Sequence, residues 1–346
     1  MPKVEMQALK DLGVQVLVKK GMPEDDARYV ADVAVTSEAA GVHTHGVVMF
    51  GYLDRMLGEG FDPAKRPTVV KEKGATALID CEGRVSHVAM RMASDLAVKK
   101  AREHGVAMIA IRNGSWMGGL GAFVLPLARQ GFFVQLWAQS CACKDSAPYG
   151  GVDARFSTNP VGLGFPTAGD PVVADFSTAI MSMGKVSRLV KQGKKAPAPC
   201  FFDKDGNVTD DPATMKDGGA MFLMGGEQNG FKGYAFAMWA EALTAMAGGY
   251  TNNPELDQRQ TINLTVIDPE AFAGMDAYRQ EMARMVTHIK SSRPLPGVTE
   301  IRLPGERMQR ELAESEKSGV ELDAEMLDSL NDLAAKHGLA ALTPLG

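Results

Sequence analysis

The chain has 346 residues, a formal net charge of −5, and 45% hydrophobic against 23% charged residues. That make-up belongs to a soluble globular protein too long for one hydrophobic core, and it excludes a disordered chain. Acids and bases are interspersed without a Lys/Arg block, and no apolar run reaches the roughly 18 residues that cross a bilayer, so neither nucleic acid nor membrane is expected as a partner.

The N-terminus, MPKVEMQALKDLG, reads as a charged amphipathic helix and not as a signal peptide. Helical spacing over residues 4–19 stops at Gly21, and Met22-Pro23-Glu24-Asp25-Asp26 opens a second helix that runs to about residue 40. A third helix is expected over 47–57, then a Gly/Pro linker over 58–67. Mixed structure follows: strands at 75–80, 106–112, 132–139, 172–176 and 261–267, and helices at 88–103, 180–190, 234–246 and 275–289. The helix at 234–246 is almost wholly apolar and reads as deeply buried. Two charged helices over 304–338 close the chain. Helices at both ends around a mixed middle suggest a sheet domain clasped by a helical domain built from both termini.

Cys81, Cys141, Cys143 and Cys200 lack Cys-x-x-Cys spacing and are too few for a disulfide framework at this length. Buried reduced thiols in a cytoplasmic protein are expected.

The densest chemistry is Gly41-Val42-His43-Thr44-His45-Gly46-Val47, with two imidazoles and a hydroxyl within three residues. Histidine is the default proton donor or acceptor near neutral pH, and the hydroxyl can orient a ring. The bland reading is a surface turn. A zinc site would need a third ligand, and no His or Cys pair elsewhere has the spacing, so no metal is expected. The turn from Arg112 through Gly121 follows a buried strand and precedes a helix; it is either a phosphate cradle or a tight turn, and it fits neither G-x-G-x-x-G nor a Walker sequence. Gly184-Lys185 is followed by Val186, which rules out a nucleoside-triphosphate loop.

Taken in order, these segments resemble the type-2 malate/L-lactate dehydrogenase family, whose relatives include ureidoglycolate dehydrogenase, diketogulonate reductase, sulfolactate dehydrogenase and Δ1-piperideine-2-carboxylate reductase. The motifs are Thr44-His45-Gly46-Val47, Ser157-Thr158-Asn159-Pro160, Asp175-Phe176-Ser177-Thr178-Ala179 through Gly184-Lys185, Lys232-Gly233-Tyr234 and Pro304-Gly305-Glu306. The likeness covers nearly the whole chain.

The resemblance implies an α/β (α+β) fold with a non-Rossmann NAD(P)-binding domain, a largely antiparallel sheet, and a helical domain formed by both termini. It divides the chain into an N-terminal helical segment carrying the proton donor (1–67), a mixed cofactor- and substrate-binding region (68–300), and C-terminal helices packing with the N-terminal segment (301–346). It implies a homodimer with its active site near the interface, and NAD or NADP as cofactor. His45 would be the proton donor, with Thr44 orienting it and Lys185 where some relatives carry an acid of the same relay. Met49, Thr158 and Asn159 fall at substrate-contacting positions. Trp116, Met117, Gly118, Gly119, Leu120, Phe176, Ser177, Thr178, Phe231, Lys232, Pro304, Gly305, Arg307 and Arg310 fall in cofactor-contacting stretches.

Two positions depart from the family. Met49 stands where relatives carry an arginine that grips a substrate carboxylate, and Trp116 where they carry a histidine. The expected activity is hydride transfer to a C=O or C=N carbon of a 2-oxo acid, a cyclic imine acid or a less polar analogue. The alternative is a diverged nucleotide-binding relative with little or no turnover.

Overall fold

The computed structural model describes residues 1–248 and 259–345. The chain begins with β1 (Lys3–Val4), α1 (Met6–Lys19), α2 (Glu24–Ala39), a 3-10 turn (His43–His45) and α3 (Val48–Met56). Its middle runs β2 (Thr68–Lys73), β3 (Thr76–Asp80), α4 (Ser86–His104), β4 (Val106–Gly114), α5 (Gly121–Arg129), β5 (Phe133–Ser140), β6 (Pro160–Phe165), β7 (Val172–Ser177) and α6 (Met183–Lys191). The short strands β8 (Phe201–Phe202), β9 (Val208–Thr209) and β10 (Ala220–Met221) follow, then α7 (Gly226–Ala245), β11 (Gln260–Ile267) and α8 (Met275–Lys290). The chain closes with α9 (Glu306–Ser318), β12 (Val320–Glu321) and α10 (Ala324–Lys336).

The principal sheet among the described residues has the order β2-β3-β4-β11-β5-β6-β7. Every neighbouring pair is antiparallel except β3 and β4, which run parallel through the crossover helix α4. This is a mixed, largely antiparallel α/β architecture. Helix α5 lies directly on β6: a Cβ on Gly162 would come within 2.9 Å of Leu120, and one on Gly164 within 2.3 Å of Val124. The glycines allow that approach, and they also remove the apolar alternation by which a strand is read, so β6 escapes the sequence. Strand β2 escapes it too, because it is exposed along its length and has no buried face to set a period.

The terminal helices form one layer. Leu9, Leu12 and Val16 of α1 share a core with Val30, Ala31 and Ala34 of α2, and with Leu312, Leu330 and Leu333 of α9 and α10. β1 pairs with β12 through Lys3–Glu321 and Val4–Val320, and Ser315 Oγ donates to Ala39 O at 3.0 Å, so the two chain ends hold each other.

Three expectations change. The segment 58–67 is not a bare linker: Phe61 is buried in the core and bridges back to Leu57. Helix α7 begins earlier than expected and is not deeply buried. Ala237, Ala240 and Leu243 face the sheet, whereas Phe236, Met238 and Trp239 are exposed, Trp239 to 59%. Apolar residues all round a helix signal burial only if another element covers the outer face. Cys81, Cys141 and Cys200 are buried, but Cys143 lies beyond the end of β5 and is exposed; none of the four is in a disulfide.

Candidate active site

The His-Thr-His turn is built by the end of α2. Glu38 sits there with a buried side chain; its Oε1 meets His43 Nδ1 at 2.6 Å and its Oε2 accepts the Val47 N–H at 3.0 Å. One carboxylate therefore clamps the turn on both sides of His45. Gly46 permits this, since a Cβ there would stand 2.2 Å from Glu38 Oε2. Thr44 Oγ1 lies 2.7 Å from Nδ1 of His45. Glu38 is a residue that sequence reasoning missed; its one signal is an acid among the small residues at the end of α2.

Trp116 closes one side of the histidine. Its ring lies 5.4 Å from the His45 ring, tilted by 59°, and Tyr52 of α3 meets it edge-on at 5.1 Å. Burial in these surroundings lowers the pKa of His45 below its ordinary value. Glu38 acts oppositely on its neighbour and raises the pKa of His43.

The turn after β4 is held from below. Asp80 accepts from Arg112 Nε at 2.7 Å and Asn113 Nδ2 at 3.0 Å, and Ser86 Oγ donates to Ser115 O at 2.6 Å. Gly118 has φ 76° and comes so close to the histidine turn that a Cβ would stand 3.0 Å from His45 O. Of the two readings of this turn, the tight turn fits. The N-terminus of α5 is already occupied: Asp175 Oδ2 accepts the Gly121 N–H at 2.8 Å. The Asp175 side chain opens to the cleft, yet the protein around it raises its pKa to about 6. Asp145, which sequence reasoning passed over, is raised to about 6 by burial in the same cleft.

A cleft of about 1530 Å³ runs past these groups. Its lining includes Thr44, His45, Trp116, Met117, Gly118, Gly119, Leu120, Thr158, Phe176, Ser177, Lys185, Pro304, Gly305 and Arg307, which the structure thus brings together. Lys185 lies in the first turn of α6, capped by Ser182; the adjacent Gly184 packs on Thr44, where a Cβ would come within 2.7 Å of Thr44 Cβ. Gly305 and Pro304 dock on β7, with Val173 N donating to Pro304 O at 3.1 Å.

The remaining candidates lie elsewhere. Met49 is fully buried behind Gly118 and does not line the cleft. Asn159 is buried beneath Thr158, where its amide donates to Glu241 at 2.8 Å and its carbonyl accepts from Ser157. Thr178 is also buried and bonds Thr158 O. Arg310 turns away to a bidentate pair with Glu300. Phe231 and Lys232 are exposed on α7, outside the cleft of their own chain. Among the described residues, no three His, Cys, Asp or Glu side chains converge as a metal site would require.

The model of the malate/L-lactate dehydrogenase family matches residues 4–331. A malate dehydrogenase of Pyrococcus horikoshii is 30% identical, over 95% of this chain and 94% of that protein. A Delta(1)-pyrroline-2-carboxylate/Delta(1)-piperideine-2-carboxylate reductase of Pseudomonas syringae pv. tomato is 32% identical, over 96% of each. In fold, the crystal structure of malate dehydrogenase from Entamoeba histolytica superposes with a TM-score of 0.92 over 98% of both chains, at 22% identity.

Proposed function

The chain belongs to the malate/L-lactate dehydrogenase family and is an oxidoreductase, and from that premise we propose that it moves hydride between a nicotinamide dinucleotide and a C=O or C=N carbon. The substrate class is a 2-oxo acid, a cyclic imine acid or a less polar analogue, and His45 is the proton donor. The observation that carries this is the placement of His45: fixed through Nδ1 by Thr44, walled by Trp116, and set on an elongated cleft.

The cleft suits a dinucleotide in two respects. It is large enough, at about 1530 Å³, for a whole dinucleotide, and its lining carries cationic side chains that suit phosphate. When bound, the nicotinamide would supply the hydride chemistry.

The protein does the rest. Nδ1 of His45 is committed to Thr44, so Nε2 faces the reacting heteroatom and gives it a proton as negative charge develops, or takes one in the oxidation direction. Trp116 and Tyr52 keep water from one side of the ring. The Lys185 ammonium has no carboxylate partner among the described residues and is available to an anionic group of the substrate. Met49 contributes packing behind the wall, and the Trp116 ring faces the cleft, which favours a less polar substrate than a small dicarboxylate.

A homodimer accounts for the residues outside the cleft. Phe236, Met238 and Trp239 make an exposed apolar face on α7 of the kind that a second copy covers, and α8 has no buried residue. Phe231 and Lys232 stand on that face, from which they would reach the partner's cleft.

A substrate panel followed by NAD(P)H absorbance tests this reading. His45→Ala is expected to lower turnover by about 10²-fold or more with cofactor binding retained. Cofactor binding with no turnover on any carbonyl or imine acid would instead identify a non-catalytic relative.

A further inference from the structure

The mouth of the cleft carries a cluster that bears on which dinucleotide is used, an inference that rests on the proposed function. His43 is 50% exposed and lines the cleft, and no described residue bonds its Nε2. Arg188 comes in from α6, close enough to act on the charge of His43, and no carboxylate pairs with it among the described residues. Arg307 enters from the first turn of α9. It is held by both oxygens of Glu311, at 2.9 and 2.8 Å, and lies against Gly41, where a Cβ would stand 3.0 Å from Nη1. Three cationic side chains from three separate elements thus meet at one rim.

A dinucleotide without a 2′-phosphate presents a ribose diol, which calls for a carboxylate acceptor; a phosphate monoester calls for arginine. Three carboxylates stand near the rim, and each already has a partner: Asp175 accepts the Gly121 N–H through Oδ2 at the start of α5. Glu38 is divided between His43 and the Val47 N–H, and Glu311 is bidentate on Arg307. What remains toward the cleft is one guanidinium with no partner, a second pre-oriented by its own anion, and an imidazole whose free nitrogen donates when protonated. A dianionic group with three acceptor oxygens complements this set.

We propose that His43, Arg188 and Arg307 hold the 2′-phosphate of NADP(H), making the protein selective for the phosphorylated dinucleotide.

The test is equilibrium binding to the full-length protein. NADPH and NADH are titrated by fluorescence, and 2′,5′-ADP and 5′-ADP by calorimetry, with the wild type, Arg188→Ala and Arg188→Lys. NADPH and 2′,5′-ADP are expected to bind at least about tenfold tighter than NADH and 5′-ADP. Arg188→Ala should erase most of that preference while NADH affinity changes by less than about twofold, and Arg188→Lys should restore part of it. Equal affinity for both dinucleotides in the wild type overturns the proposal. So does equal loss of both in Arg188→Ala, which would place the shared pyrophosphate on the cluster; in either case the proposed function stands. Binding of neither dinucleotide removes both.

Discussion

Thr44 Oγ1 stands 2.7 Å from Nδ1 of His45, so the ring is held through one nitrogen at the lining of the cleft. In the proposed mechanism the hydroxyl orients the histidine without touching the reacting atoms. Thr44→Val should therefore lower kcat by about tenfold and leave the cofactor Kd unchanged, with Thr44→Ser restoring the rate. An unchanged kcat in Thr44→Val would show that packing alone sets the ring.

Burial lowers the pKa of His45. At neutral pH the ring is therefore mostly unprotonated, the form that takes up a proton in the oxidation direction of the proposed reaction. The rate of alcohol oxidation should rise through a pKa below the ordinary 6.5 and then level, and the rate of reduction should fall across the same window. Trp116→Ala admits water to the ring and should move both inflections upward. Asp145 and Asp175 also titrate near 6 in this cleft, so the assignment is checked by NMR titration of the His45 ring and by Asp145→Asn. A His45 titration at or above 6.5 in the wild type would contradict it.

Glu38 is a buried anion with two partners. Glu38→Ala leaves the Val47 N–H buried and unbonded, at a cost of about 1–3 kcal/mol, and it frees the histidine turn. Thermal unfolding should begin a few degrees lower and kcat should fall together with stability. Glu38→Gln keeps one acceptor and should recover most of the melting temperature but not the raised pKa of His43.

His87 is fully buried, its two nitrogens have no hydrogen-bond partner among the described residues, and its pKa is pushed down to about 3. The unfolded chain takes up a proton near 6.5 and the native one does not, so stability is complete above that pH and drains away as pH falls toward 3. The loss at the acid end is up to roughly 5 kcal/mol by linkage. His87→Leu, packed against Phe123, should shift the acid-unfolding midpoint to lower pH; an unmoved midpoint would assign acid lability elsewhere.

Trp239 is 59% exposed at the centre of the apolar face of α7. If that face joins two copies, Trp239→Glu should convert a dimer to a monomer in sedimentation analysis without altering the far-ultraviolet circular dichroism. A monomeric wild type would leave Phe231 and Lys232 without a cleft to serve.

Local pattern was enough for much of this protein. The apolar periods of α1, α2 and α4, the buried runs of β4, β5 and β11, and the Thr44-His45 dipeptide are all written in neighbouring residues, because helix and strand periods and motif chemistry are short-range properties. Tertiary structure decided the rest. It brought Glu38 to the far side of the His-Thr-His turn and set Trp116 against His45. It also aimed Asp175 at the start of α5, which closed that helix end to an outside anion. As residues in a sequence, Arg188, Lys191, Arg307 and Arg310 are four equivalent bases. Only packing sent Lys191 to Glu325 and Arg310 to Glu300 while leaving Arg188, and Arg307 with its partner Glu311, on the cleft. Whether a charge is spent or available depends on what lies opposite it across the fold, and no local spacing records that.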